Sequence, residues 1–137
     1  MCLYNNVSKV RKLLKSTKKH IKGYKIYQVD YNNNLYPFYY NENKVIVNKN
    51  RYIQSNTSRK KPSLRQEEIN QGLHIYTTRP SIMSLETFRL AKRIVVVKVV
   101  GYRKDLLGIG YDDDAVFTKV RVSKRELTRL RKLGIKI

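Results

Sequence analysis

The chain has 137 residues, with 30 Lys and Arg against 10 Asp and Glu and a formal net charge of +20. That length suits one domain around one core, and a hydrophobic content of 41% excludes a wholly disordered chain. A single cysteine, Cys2, excludes an intrachain disulfide and a cysteine-based zinc site, and it points to a reducing compartment rather than secretion.

So large a positive excess opposes compaction through self-repulsion. A polyanionic partner would relieve it, and nucleic acid is the commonest one. The plainer reading of the same excess is solubility alone.

From the N-terminus, Val7, Val10, Leu13 and Leu14 recur at helical spacing, with Ser8 placed to cap. The spacing predicts an amphipathic helix over 7–19, stopped by Gly23. Arg11, Lys12 and Lys15 lie on its polar face, where no acid offsets them. That face either meets phosphate or a membrane surface, or is merely solvated.

Residues 24–29 alternate as a strand does, and the Asn-rich stretch 30–34 reads as a turn. A second strand over 36–40 is pushed to a sheet edge by Pro37. Its aromatic side chains, with Tyr31, serve either base stacking or core packing. A short strand over 44–48 is followed by a turn, after which residues 51–53 continue it. Residues 54–66 are nearly free of apolar side chains and read as a mobile polar loop, with Arg59, Lys60 and Lys61 able to fold onto phosphates.

Leu73 to Tyr76 reads as a strand, and Pro80 opens a helix that buries Ile82, Leu85 and either Phe88 or Leu90 and ends near Arg93. Ile94 to Tyr102 is a central strand, apolar on both faces. Too short to span a bilayer, it is also interrupted by Lys98, and no signal-peptide core precedes it. Asp112, Asp113 and Asp114 would be either a cation site or a surface turn, and they lack the spacing of a calcium loop.

Residues 116–122 alternate as a half-buried strand whose outer face carries Phe117, Lys119 and Arg121. Ser123 and Glu126 have capping-box spacing. The helix they open directs Leu127, Leu130 and Leu133 inward, stops near Gly134, and crowds Lys124, Arg125, Arg129, Arg131 and Lys132 onto its outer surface. The sum is a single α+β domain with an antiparallel or mixed sheet and about three helices, basic at both ends.

The chain has only two histidines, His20 and His74. Neither is set in a triad signature, and no phosphate loop or dinucleotide glycine fingerprint is present. No catalytic residue, cofactor or metal is therefore expected.

Short segments such as Tyr24-Lys25-Ile26-Tyr27, Gly72-Leu73-His74-Ile75-Tyr76 and Ala115-Val116-Phe117-Thr118-Lys119-Val120 resemble small uncharacterised proteins of bacteriophages and large DNA viruses. That resemblance implies a viral origin and a place in the virion or the host-cell interior, with viral structural proteins as further partners. Gly72 to Tyr76 and Glu126 are also similar, more faintly, to the ADP-ribosyltransferase fold. This second resemblance implies a nucleotide pocket near His74 and Tyr76, lacking the first-strand His or Arg of those enzymes, since that strand offers only Lys25.

Function is thus expected to be non-catalytic polyanion binding, with nucleic acid leading. Lys119, Arg121 and the cations of the last helix would be assisted by Arg59 to Lys61 and by the N-terminal helix. The alternatives are a structural virion protein that bridges acidic neighbours, and a nucleotide-binding or nucleotide-sequestering protein of degenerate transferase fold.

Overall fold

The computed structural model describes residues 3–37, 44–80 and 93–137. Its elements run β1 (Leu3–Tyr4), α1 (Val7–Lys15), β2 (His20–Val29), β3 (Leu35–Pro37), β4 (Tyr52–Gln54), β5 (Glu68–Ile69) and β6 (Leu73–Tyr76). After these come β7 (Ile94–Tyr102), a 3-10 turn (Arg103–Asp105), β8 (Leu106–Ile109), β9 (Asp114–Phe117), β10 (Lys119–Arg121) and α2 (Lys124–Lys132). The fold is a single α+β domain with a mostly antiparallel sheet and, among the described residues, two helices. The helix expected after Pro80 falls on 81–92, outside the described residues, as do Phe38, Tyr39 and Tyr40 of the expected second strand. No helix among the described residues is long and apolar enough to cross a membrane.

The large sheet has the order β4-β10-β7-β2-β6-β9-β8, with β3 added on β2. Because β9 and β10 are separated only by Thr118, the strands next to the two ends of this path are one piece of chain. Its first half pairs with β6 and β8, its second half with β4 and β7. The sheet therefore rolls round and closes on itself through β7, β2 and β6, as the right-handed twist of strongly bent sheets allows.

Closure sorts the side chains into an inside and an outside. Tyr27, Ile75, Val97, Val99, Phe117 and Val120 form the interior, joined by Val10 of α1 and by Leu127 and Leu130 of α2. Phe117 points inward as Val120 does, although strict alternation would set them on opposite faces. Thr118 is the irregularity that makes this so: its N–H donates to Asp105 O at 2.8 Å, and its carbonyl accepts from Ser55 N (3.0 Å) and Ser55 Oγ (2.9 Å). The expectation that Phe117 shares a face with Lys119 and Arg121 is corrected by that single offset.

A second, smaller cluster of Leu3, Ile69, Leu107 and Val116 lies where the β1–β5 pair covers the outside of β8 and β9. Asn5 ties this cover down. Its amide donates to the carbonyls of Ser63 and Arg65, both at 2.9 Å, while its Oδ1 accepts from Ile109 N. Of the polar loop expected over 54–66, Gln54 belongs to β4 and the rest has neither helix nor strand, but it is pinned at Ser55, at buried Ser63 and by an Arg59–Glu67 salt bridge of 2.9 Å.

Other boundaries shift for physical reasons. Asn6 caps α1 in place of Ser8, its side chain accepting from Lys9 N at 3.3 Å, and the helix ends at Lys15 instead of residue 19. Gly23 does not stop that helix. It lies within β2, where a Cβ would sit 2.6 Å from Ile75 Cδ1 and 2.7 Å from Tyr76 O. Residues 44–48 form no strand and reach β3 through Val45 N to Leu35 O at 2.7 Å. Leu133, expected to be inward, is 53% exposed, because α2 ends there and the chain turns to bury Ile135 in its place.

The Phe117 ring lies directly over Gly101 in the interior, where a Cβ would overlap the ring. Gly101→Ala should therefore lower stability by about 1–3 kcal/mol, as overpacking of a closed core does, read as a reduced urea midpoint with an unchanged slope. A midpoint equal to that of the parent would mean that Phe117 does not fill the barrel as described.

Candidate nucleic-acid interface

Register places a set of polar and aromatic side chains on one outer wall. Lys22 pairs with Val100, Val100 with Arg121, and Arg121 with Tyr52, so one row crosses β2, β7, β10 and β4. Directly opposed residues share a face, as do residues two apart in a strand. His20 and Tyr102 therefore stand beside that row on one side and Tyr24 and Lys98 on the other, while Lys119 and Gln54 flank it on β10 and β4.

The aromatic rings on this wall are neighbours without being stacked. His20 and Tyr102 have ring centroids 6.4 Å apart at 60°, and Tyr52 and Tyr102 are 6.5 Å apart at 58°. Cations lie against them: Lys119 Nζ is 4.5 Å from the centre of the Tyr52 ring, and Arg121 Cζ is 5.6 Å from it. These distances fall within the range of cation–π attraction. Arg121 Nε, itself a buried atom, has no hydrogen-bond partner among the described residues. Lys22, Lys98, Lys119 and Arg121 take part in no salt bridge among the described residues.

Beyond β10 the wall continues into α2. β7 is nine residues long and β10 only three, so most of that β7 edge would be bare. Side chains of α2 take the place of a strand there: Glu126 Oε2 accepts from Lys98 N at 2.6 Å, and Arg129 Nη2 donates to Val96 O at 2.9 Å. Burial works to raise the Glu126 carboxyl, but the hydrogen bonds from Arg129 and Lys98 N outweigh it and hold the group below its ordinary range. The Ser123 side chain caps α2 by accepting from Glu126 N at 3.0 Å, as the spacing predicts, while the Glu126 carboxylate serves the sheet edge. An open groove of about 430 Å³ lies over this joint, with Arg125, Arg129 and Lys132 on one side and Lys98 on the other.

Of the residues expected from sequence, Lys119 and Arg121 thus meet on the wall, and Arg125, Arg129 and Lys132 meet at the groove that adjoins it. Lys124 and Arg131 are exposed on α2 but do not line that groove. Arg11, Lys12 and Lys15 are exposed on α1, which packs against β8, and Arg59, Lys60 and Lys61 lie in the loop held to Glu67. Neither group belongs to the row. Tyr31, 81% exposed, and Tyr36 lie on the β2–β3 hairpin, away from the register of the wall. Sequence reasoning missed Tyr52, Tyr102, His20, Lys22 and Lys98. The two-residue spacing of Lys98, Val100 and Tyr102 was the available signal.

His74 and Tyr76, the two residues of the expected nucleotide pocket, both lie in β6. His74 is half-buried in β6 between β2 and β9 and directs its Nε2–H at Ile69 O, 3.3 Å away. Burial first, and the nearby Lys25 charge second, lower its pKa to about 4. Tyr76 is paired with Tyr24 in β2 and with Asp114 in β9. Among the described residues no three acidic, His or Cys side chains gather as a metal site, and the aspartate triplet closes the β8–β9 hairpin.

Lys25 faces the interior opposite Val97, its Nζ donating to His74 O at 2.9 Å and lying 5.5 Å from the Tyr27 ring. The residue is half-buried, and the loss of water around its ammonium group pulls its pKa down to about 8. The unfolded chain, with the ordinary value of 10.5, binds more protons between those two values, so stability attributable to Lys25 rises with pH from about 8 to 10.5. Lys25→Met should be more stable than the parent near about pH 7, with the gap narrowing by about pH 10 in urea titrations. A gap independent of pH would contradict this placement.

Compared with protein-family models, with curated proteins and with solved structures, the chain matches none of them.

Proposed function

We propose that this protein binds nucleic acid, without catalysing a reaction on it, through the outer wall of β2, β7, β10 and β4. The observation that carries the reading is the pairing of Lys119 and Arg121 with the Tyr52 ring, on a face whose cations have no carboxylate across a salt bridge among the described residues. Cations fixed against aromatic rings give a polyanion two kinds of contact: phosphate neutralisation and an apolar surface. The α2 groove lengthens the positive track, since Lys98 belongs to both.

Phosphate contacts of this kind carry no sequence information, so binding is sequence-tolerant and dominated by counterion release. The net charge of +20 draws the ligand in from a distance, and the wall decides where it comes to rest.

The double variant Lys119→Ala/Arg121→Ala should lose affinity for an oligonucleotide on the order of tenfold or more at roughly 100 mM salt. Its plot of log affinity against log salt should be shallower by about 1.4 for a single strand, about 0.7 for each lost phosphate contact. Lys12→Ala/Lys15→Ala in α1 removes the same charge from a surface outside the row and should lose less. Fluorescence anisotropy with a labelled oligonucleotide reads both. Equal losses from the two variants would mean that net charge alone drives binding.

A further inference from the structure

We infer that the nucleic acid held by this wall is single-stranded, its bases lying on Tyr52 and Tyr102. The inference rests on the reading above and adds the form of the ligand. Three neighbouring strand spacings separate β4 from β2, so the wall is about 14 Å across. A duplex major groove is about 12 Å wide and admits one helix or a two-stranded ribbon. The wall is thus too broad to enter it. Against a duplex it could reach phosphates only, and its aromatic rings would have nothing to contact.

Unpaired bases use such rings directly. Tyr52 and Tyr102 are tilted by 58° to each other, so neither covers the other's face, and both are half-exposed. Lys119 and Arg121, placed against Tyr52, are in position to meet the phosphates that flank a base resting there. Lys22, in register with Arg121 through Val100, continues the cationic row on the far side of β7. Hydrogen-bond readout of base edges is not part of this arrangement, so the preference is for strandedness and not for sequence.

The test compares three probes of about 12 nucleotides on the unaltered protein: a mixed-sequence strand, its duplex, and a strand of equal length lacking bases. The inference expects the natural strand to bind tightest, in its DNA or its RNA form, with both the duplex and the abasic strand weaker. Tyr52→Leu, checked for unchanged circular dichroism, should weaken the natural strand roughly 5- to 150-fold while leaving duplex binding nearly as it was. Duplex or abasic binding as tight as that of the natural strand would overturn the inference but leave polyanion binding standing. Failure of all three probes to bind would remove the broader reading as well.

Discussion

One length of chain, residues 114–121, serves both ends of the sheet, and the rest of the molecule depends on its doing so. Its halves face different neighbours, β6 and β8 before Thr118 and β4 and β7 after it. The offset at Thr118 turns both Phe117 and Val120 inward, and Phe117 has room only because Gly101 lacks a side chain. Without the offset one of the two would point out of the interior, which would lose the contact that closes it. Closure also gives the outside its two characters. One part is covered by β1, β5 and the loop that Asn5 holds down. The other, formed by β2, β7, β10 and β4, carries the exposed and half-exposed rings and cations.

The distribution of acids sharpens that contrast. With only 10 acidic residues, where each one sits matters. Glu126 is buried against the β7 edge, and Glu67 is engaged by Ser63 and Arg59. Asp30 accepts from Asn32 N and Asn34 N to set the turn after β2. Asp114 is half-buried in the β8–β9 hairpin, where burial raises its pKa. These acids satisfy backbone donors and brace loops, and so the wall's cations are left without ion-pair partners among the described residues. Exposed like charges at that density weaken the folded state, and a bound polyanion would offset the repulsion.

Much of the fold was legible in the sequence. The β-branched run of β7, the alternation of β2 and the Ser123 cap of α2 are local signals, and each forms the element it announces. What local pattern could not carry was non-local. β8 has Leu106, Leu107, Gly108 and Ile109 in a bulged register that imitates a loop, so no strand was expected there. The reversal at Thr118 depends on partners at Asp105 and Ser55, far away in the chain. The site suffered most from this. Lys119 and Arg121 stood out as cations on an alternating strand, whereas Tyr52, Tyr102 and His20 become a set only once three ladders bring together segments dozens of residues apart. Tyr-rich sequence near residue 36 attracted the stacking hypothesis by local density, and the rings that register with the cations lie elsewhere.

Nucleic acid resting on the wall would leave its mark on the backbone there. Amide chemical-shift mapping during titration with a short single-stranded oligonucleotide tests this placement most directly, because it reports every backbone position at once. The largest shifts are expected at Tyr52, Tyr102, Lys119, Arg121 and Lys22, trailing off through Lys98 towards α2. Shifts centred on α1 or on Arg59 to Lys61, with the wall unmoved, would contradict that placement.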